Sequence, residues 1–282
     1  IEASSAVINS GSAYSLPELP IFRPFNHVIT YLPEWDLYVD TTQELAPFGE
    51  LGDHLVDKTV LLTGLNKIGK TPKLSPDNNR IITHSSIKIM PNGEMKGASH
   101  TTYKGNREIN ARYRFEGHVS TSAAKMVSDQ LFKFRETGTG KFKPTDVYNL
   151  NKPFELFTEF NLDPNTNFPG PGAMTVPVGL APGNITAISH NKPKEKFYFP
   201  FECTAGYTEE TTVIEFPKNT KLTRVPKSTH HIQAGSEYIA TYKKVGANKL
   251  EVKRSLKLEK KSMVCQPDEL KLWQTLYQAI KQ

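Results

Sequence analysis

The sequence predicts an α+β protein made mainly of antiparallel β-strands. Three observations predict it. Phe and Tyr (15 and 11 residues) accompany 20 Pro and 18 Gly in a chain that is 37% hydrophobic, a mix that favours short strands and turns over a helical bundle. Its apolar runs are brief and bounded by turn residues. Helical spacing of apolar residues is confined to 107–116, 123–136 and a segment after 266. At 282 residues the chain is long enough for two domains with cores of their own. The expected division is 1–76 and 77–282, with a further boundary near 190 separating sub-units 77–190 and 191–282.

Residues 1–50 supply strands at 3–9, 26–32 and 37–42, and an irregular region follows to about 76 with one apolar run at 59–63. Segments 80–90 and 94–103 flank Pro91-Asn92-Gly93, and an Asn-Gly pair between alternating runs is a strong hairpin signal. Two helices follow. The second has Thr121 or Ser122 as N-cap, Val127, Leu131 and Phe134 on one face, and Gly138 as its stop. A strand at 153–162 precedes a Pro- and Gly-rich loop over 168–183.

From 196 onward the pattern is an antiparallel meander, with strands at 197–201, 208–216, 222–225, 230–233, 237–245 and 249–260. That spacing is the spacing of a β-sandwich. The last element is a helix. Pro267 occupies its first position, Asp268 and Glu269 its first turn, and Leu270, Trp273, Leu276, Tyr277 and Ile280 form an apolar stripe that packs on the sandwich.

Composition narrows the functions. The net charge of +6 and pI near 9.1 come from lysines spread along the chain. The densest set (Lys249, Lys253, Arg254, Lys257, Lys260, Lys261) alternates with Leu250, Val252, Leu256 and Leu258, the solvated face of an amphipathic strand and not a nucleic-acid surface. No apolar run has the length of a membrane span. His230-His231 is the one close histidine pair, and neighbours on a strand point to opposite faces, so no metal site is expected. No cofactor motif is present.

The informative stretch is the hairpin at 25–42. If Glu34 and Trp35 form a two-residue loop, Pro33 opposes Asp36, Ile29 opposes Asp40 and His27 opposes Thr42. His27, Ile29 and Asp40 then share one face, with His27 and Asp40 as diagonal neighbours about 7–8 Å apart at the backbone. A three-residue loop would flip Asp40 to the other face and leave Asp36 as a weaker partner. A histidine oriented by a carboxylate is the base-and-orienter half of a nucleophilic triad. The same pair also serves structural roles in many sheets.

His27 in Phe-Asn-His-Val and Asp40 in Tyr-Val-Asp-Thr-Thr resemble the His/Asp half of the transglutaminase-like, papain-like cysteine peptidase superfamily. There a strand His is followed about a dozen residues later by Asp in an aromatic-apolar-Asp-Pro-Thr strand end; here Thr41 stands in place of Pro. The wider texture (Val7–Gly11 in numbers 7–11, then 16–20, 61–64, 136–140 and 178–183) is similar to bacterial proteins whose transglutaminase core is flanked by β-rich domains of unknown function. The resemblance implies that 1–76 is the His/Asp-bearing half of such a core and 77–282 a β-rich accessory region. It also implies a Cys nucleophile in a Gly-Asp-Cys motif at a helix start. No Gly-Asp-Cys occurs in the sequence, so the chain reads as a fragment whose nucleophile lies upstream of residue 1.

Neither Cys203 nor Cys265 has that context. Cys265, just ahead of Pro267, comes closer to a helix N-terminus, where a thiol pKa is lowered. The resemblance implies a periplasmic or otherwise extracytoplasmic parent protein, and in an oxidising compartment the two are expected to form a disulfide; two buried free thiols fit the same sequence. Two functions follow. The parent is a cysteine-dependent acyl-transfer enzyme (peptidase, amidase or transglutaminase) acting on a protein or peptide, with His27 as base and Asp40 as orienter. Alternatively its core is degenerate and it is an extracytoplasmic binding or assembly module. An isolated half-core is expected either to lean on the accessory region or to expose an apolar face, and an exposed face of that kind invites a homodimer.

Overall fold

The computed structural model describes residues 1–11, 24–116, 120–165, 167, 168 and 170–281, with 120–122 as backbone only. The segment 16–20 cited above and the Thr121 and Ser122 side chains lie outside the described residues. The molecule is α+β, with fifteen strands and four α-helices among those residues.

A first sheet of five strands has the order β3-β2-β1-β4-β5, built from β1 (Ser4–Ile8), β2 (His27–Leu32), β3 (Leu37–Val39), β4 (Thr59–Leu62) and β5 (Lys67–Lys70). All its pairings are antiparallel. Period-two alternation puts Ala6, Ile8, Ile29, Tyr38, Val60 and Leu62 on one face. Leu51, Leu55, Val56 and Leu74 from the connecting segments close over them, and Ala205 and Met263 join from far along the chain.

The hairpin between β2 and β3 has the register that places His27 and Asp40 on one face: Thr30 opposes Val39, Tyr31 opposes Tyr38 and Leu32 opposes Leu37. Its tip is a 3-10 turn at Pro33–Trp35 closed by Asp36 in the left-handed region at φ 47°. The Asp36 N–H donates to the Pro33 carbonyl at 3.3 Å.

A second sheet has eight strands in the order β12-β13-β14-β11-β6-β7-β9-β8. Its strands are β6 (Arg80–Ile89), β7 (Met95–Lys104), β8 (Gly138–Pro144), β9 (Glu155–Leu162), β11 (Gly206–Glu215), β12 (Thr229–Gln233), β13 (Ser236–Val245) and β14 (Lys249–Leu258). The Asn-Gly hairpin forms as expected, with Gly93 at φ 87° and the Met90 N–H donating to Glu94 at 2.7 Å.

Here the sandwich expectation needs correcting. The meander does not fold back as a second layer; β11 pairs in parallel with β6, Tyr207 opposite Arg80, so residues on both sides of 190 share one sheet. The physical reason is that β11 has antiparallel β14 on its other edge, and its unpaired edge is satisfied by β6. Residues 222–225 are not a strand, and 8-stranded width is reached instead through β8, where no strand was expected.

Four helices cover one face. They are α1 (Asn106–Phe115), α2 (Ser120–Lys133), α3 (Asn184–His190) and α4 (Leu270–Lys281). Because α2 begins at Ser120, Thr121 and Ser122 lie inside it and not at its cap. Val127 and Leu131 of α2 pack with Ile87, Met95, Phe160, Leu162, Ile214 and Val252. Leu276 and Ile280 of α4 and Ile185 of α3 pack on Tyr238, Ala240, Leu256 and Leu258. Arg112 of α1 is fully buried; it donates to Glu108 at 2.7 Å and to the Val147 and Lys152 carbonyls, each at 2.7 Å.

A short ribbon ties the two sheets together. Its strands β10 (Phe201–Glu202) and β15 (Val264–Cys265) pair antiparallel, and Cys203 and Cys265 are disulfide-bonded with Cα atoms 5.6 Å apart. The Met263 N–H donates to Asp57 of the first unit at 2.9 Å. No helix among the described residues is long and apolar enough to cross a membrane.

Candidate functional site

His27 opens β2, paired with Ile8 at the end of β1. Its neighbours on the same face, Ile29 and Tyr38, are core residues, which orients the imidazole along the sheet's inner face. Asp40 follows the last paired residue of β3. It is 4% exposed, and its Oδ2 lies 3.2 Å from His27 Nε2.

The other carboxylate oxygen is fixed locally. Asp40 Oδ1 accepts the Thr42 N–H at 3.0 Å and the Thr42 hydroxyl at 2.8 Å, an Asx-turn closed by a side-chain hydroxyl. A carboxylate held this way cannot rotate off the imidazole without breaking two bonds. With Nε2–H donating to Asp40, the neutral ring keeps Nδ1 as its basic nitrogen. The His27 side chain is 22% exposed, so the ring is within reach of a group outside the core. Chemically, the arrangement is a partly exposed imidazole held by a buried carboxylate.

The aspartate also explains why β3 stops where it does. Its carboxylate competes for the backbone N–H that would continue the ladder. Thr42, expected in a strand opposite His27, instead closes a turn on Asp40, and the Asp-Thr-Thr triplet is the sequence signal for it. Asp36, the weaker candidate, sits at the exposed tip, accepting the Tyr31 hydroxyl at 2.8 Å. That hydrogen bond, ahead of slight desolvation, holds the Tyr31 hydroxyl above its ordinary pKa.

Cys203 and Cys265 are bonded to each other and so present no thiolate. Cys265 is buried and paired in β15, not at a helix start. His230 and His231 are engaged separately, with Glu237 at 2.8 Å and Gln233 at 3.2 Å. No group of three or more metal-ligating side chains occurs among the described residues.

A further charged residue lies at the His27 end of the sheet. Lys58, just before β4, is fully buried, and its Nζ donates to the Gly11 carbonyl. Desolvation pulls its ammonium pKa down, and Glu202 and Asp57 oppose that. A lone lysine beside an apolar run carries no sequence signal of burial.

Comparisons with known proteins add the following. Residues 174–282 match a family model described as a domain of unknown function with solved structure, DUF3858. That stretch holds α3, the ribbon, β11 to β14 and α4, and none of the first sheet. No curated protein matches the chain. A crystal structure described as that of "a putative protease from Parabacteroides distasonis" aligns with 99% of this chain at 12% identity and a TM-score of 0.44. The chain spans 37% of that protein's length.

Proposed function

We propose that His27 and Asp40 are the base and orienter of a transglutaminase-like, cysteine-dependent acyl-transfer centre, a peptidase, amidase or transglutaminase acting on protein or peptide substrates. The observation that carries this is the 3.2 Å contact between His27 Nε2 and a buried Asp40 whose second oxygen is clamped by Thr42. A solvent-facing structural pair has no need of that clamp. The nucleophile is a cysteine from outside these 282 residues, because both cysteines within them are in a disulfide.

In this reading the incoming thiol gives its proton to His27 Nδ1, and the thiolate attacks the substrate carbonyl. Asp40 stabilises the imidazolium that results and holds its tautomer. The imidazolium then protonates the departing amine as the C–N bond breaks. Water or a second amine, deprotonated by the same Nδ1, resolves the thioester to a hydrolysed or transferred product. The disulfide supports placing the protein in an oxidising, extracytoplasmic compartment such as a periplasm.

The test compares the protein encoded by the whole reading frame with the 282-residue chain in a thiol-dependent amidase and transamidase assay. The longer protein turns over substrate, and His27→Ala abolishes it; Asp40→Asn lowers kcat on the order of 10⁴-fold, as loss of an orienting aspartate does elsewhere. The shorter chain alone is inert. Turnover by the shorter chain, or full activity of the His27→Ala protein, refutes the assignment. An inactive whole protein favours the binding or assembly module.

A further inference from the structure

A cavity of about 290 Å³ lies between α3, α4, α1 and the β11/β14 pair, far along the chain from His27. Its walls are mainly apolar, from Ile185, Ile188, Leu256, Leu258 and Trp273. Arg107 and Asn184 line it among these carbon surfaces, together with Thr204 and Thr208, and Arg107 is the one cation of the lining. The Asn184 Nδ2 is buried and has no hydrogen-bond acceptor among the described residues. The Arg107 guanidinium makes no hydrogen bond or ion pair to any described residue; its backbone N–H alone is bonded, to Asn79.

Neighbouring cations have carboxylate partners. Arg254 binds Glu210 at 2.8 Å, although its Nε has no acceptor, and Lys260 binds Glu269 at 3.0 Å. Asp53 attracts Arg107 only at a distance, its own near contacts being His54 at 3.8 Å and the Asn110 side chain. Burial pulls the Arg107 pKa down and Asp53 raises it part of the way back. A buried donor without an acceptor is costly in a folded protein, and here Asn184 Nδ2 is one, in the same cavity lining as the half-buried Arg107.

We propose that this cavity binds a small monocarboxylate with an apolar body, its carboxylate received by Arg107 and the Asn184 amide. A guanidinium presents two parallel N–H groups that match a planar carboxylate. A single such fork with one amide satisfies one negative charge. A phosphate carries a second negative charge for which the lining holds no second cation. The apolar walls and the Trp273 ring take the hydrocarbon part, the usual division of labour in small-molecule sites.

The test is calorimetric titration of the full chain with hexanoate, hexan-1-ol and inorganic phosphate. Trp273 fluorescence in a Trp35→Phe background, which leaves it as the sole tryptophan, locates the site. Hexanoate binds saturably and shifts Trp273 emission, hexan-1-ol binds at least about tenfold more weakly, and phosphate does not compete. Arg107→Met weakens hexanoate at least about tenfold and leaves hexan-1-ol unchanged. Asn184→Leu does the same to a smaller degree, and decides the matter if Arg107→Met fails to show a native circular dichroism spectrum. Equal binding of acid and alcohol, displacement by phosphate, no saturable binding in the millimolar range, or hexanoate binding indifferent to these variants overturns the proposal.

Discussion

Reduction of the Cys203–Cys265 bond is expected to lower the thermal midpoint by about 7 °C, and the magnitude follows from chain length alone. The cysteines are 62 residues apart. Closing a loop of that size removes unfolded-state entropy worth about 4 kcal/mol at 25 °C. Unfolding entropy is roughly 2 cal/mol/K per residue, so for 282 residues the transition carries about 0.6 kcal/mol/K, and the quotient gives the shift. The assay is scanning calorimetry of native protein with and without a phosphine reductant. Cys203→Ala/Cys265→Ala should fall at least as far, because Cys265 is buried and its sulfur leaves a small void. A reduced protein melting within a degree of the oxidised one would show that the loop is already constrained in the unfolded chain. Alkylation of both cysteines without prior reduction would remove the premise altogether.

Three further perturbations test other parts of the fold. Arg112→Met takes from Glu108 its cation and from the Val147 and Lys152 carbonyls a donor and should cost about 3–5 kcal/mol by urea denaturation, since breaking a buried pair leaves a charge behind; a change under about 1 kcal/mol would refute the idea that this pair anchors α1. Asn79→Ala leaves the Ala205 carbonyl, which accepts from Asn79 Nδ2 at 2.6 Å, without a partner, for a loss of about 1–3 kcal/mol measured the same way. Asp57 is desolvated, which raises its pKa, but Lys70 at 2.6 Å and the Met263 N–H together hold it below the ordinary value. A depressed carboxylate contributes stability above its unfolded pKa of about 3.9 and loses it as pH falls through the folded value. Asp57→Asn should therefore flatten the acid limb of the stability curve below about pH 4 and leave its alkaline limb unchanged; an acid limb of native steepness would assign the proton uptake elsewhere.

Much of the local structure was legible. The β2/β3 register followed from counting outward from Pro33 and Asp36, and the structure has the same pairing sums in Thr30 with Val39 and Tyr31 with Tyr38. Asn92-Gly93 marked the β6/β7 turn, and Gly93 takes the positive φ of 87° that a residue with a Cβ rarely adopts. What escaped was non-local. Nothing in the sequence of β11, Gly206–Glu215, says that its second neighbour is a parallel strand from before residue 90, because alternating burial looks the same whichever strand lies alongside. Strand β8 escaped for a different reason. Gly138 and Gly140 and a largely exposed edge hide the apolar alternation on which strand recognition rests. Of the site, the His27–Asp40 pair was visible through its spacing, whereas Arg107 and Asn184 meet only once three separate elements have packed.

The parallel β6/β11 seam has a kinetic consequence. It joins Arg80 to Tyr207 and Lys88 to Glu215, partners more than a hundred residues apart, through the middle of the sheet and not at its rim. Loop-closure entropy must be spent before any of those contacts forms, so this ladder belongs to the slow, high-contact-order part of folding. As the chain leaves the ribosome, β6 and β7 can zip at once, but β6 must then hold an open edge until β11 has been synthesised. A pause or mutation that delays residues 206–215 prolongs the time in which that edge can recruit a strand from another molecule. Refolding yield should accordingly depend on protein concentration far more than the stability of the finished sheet does.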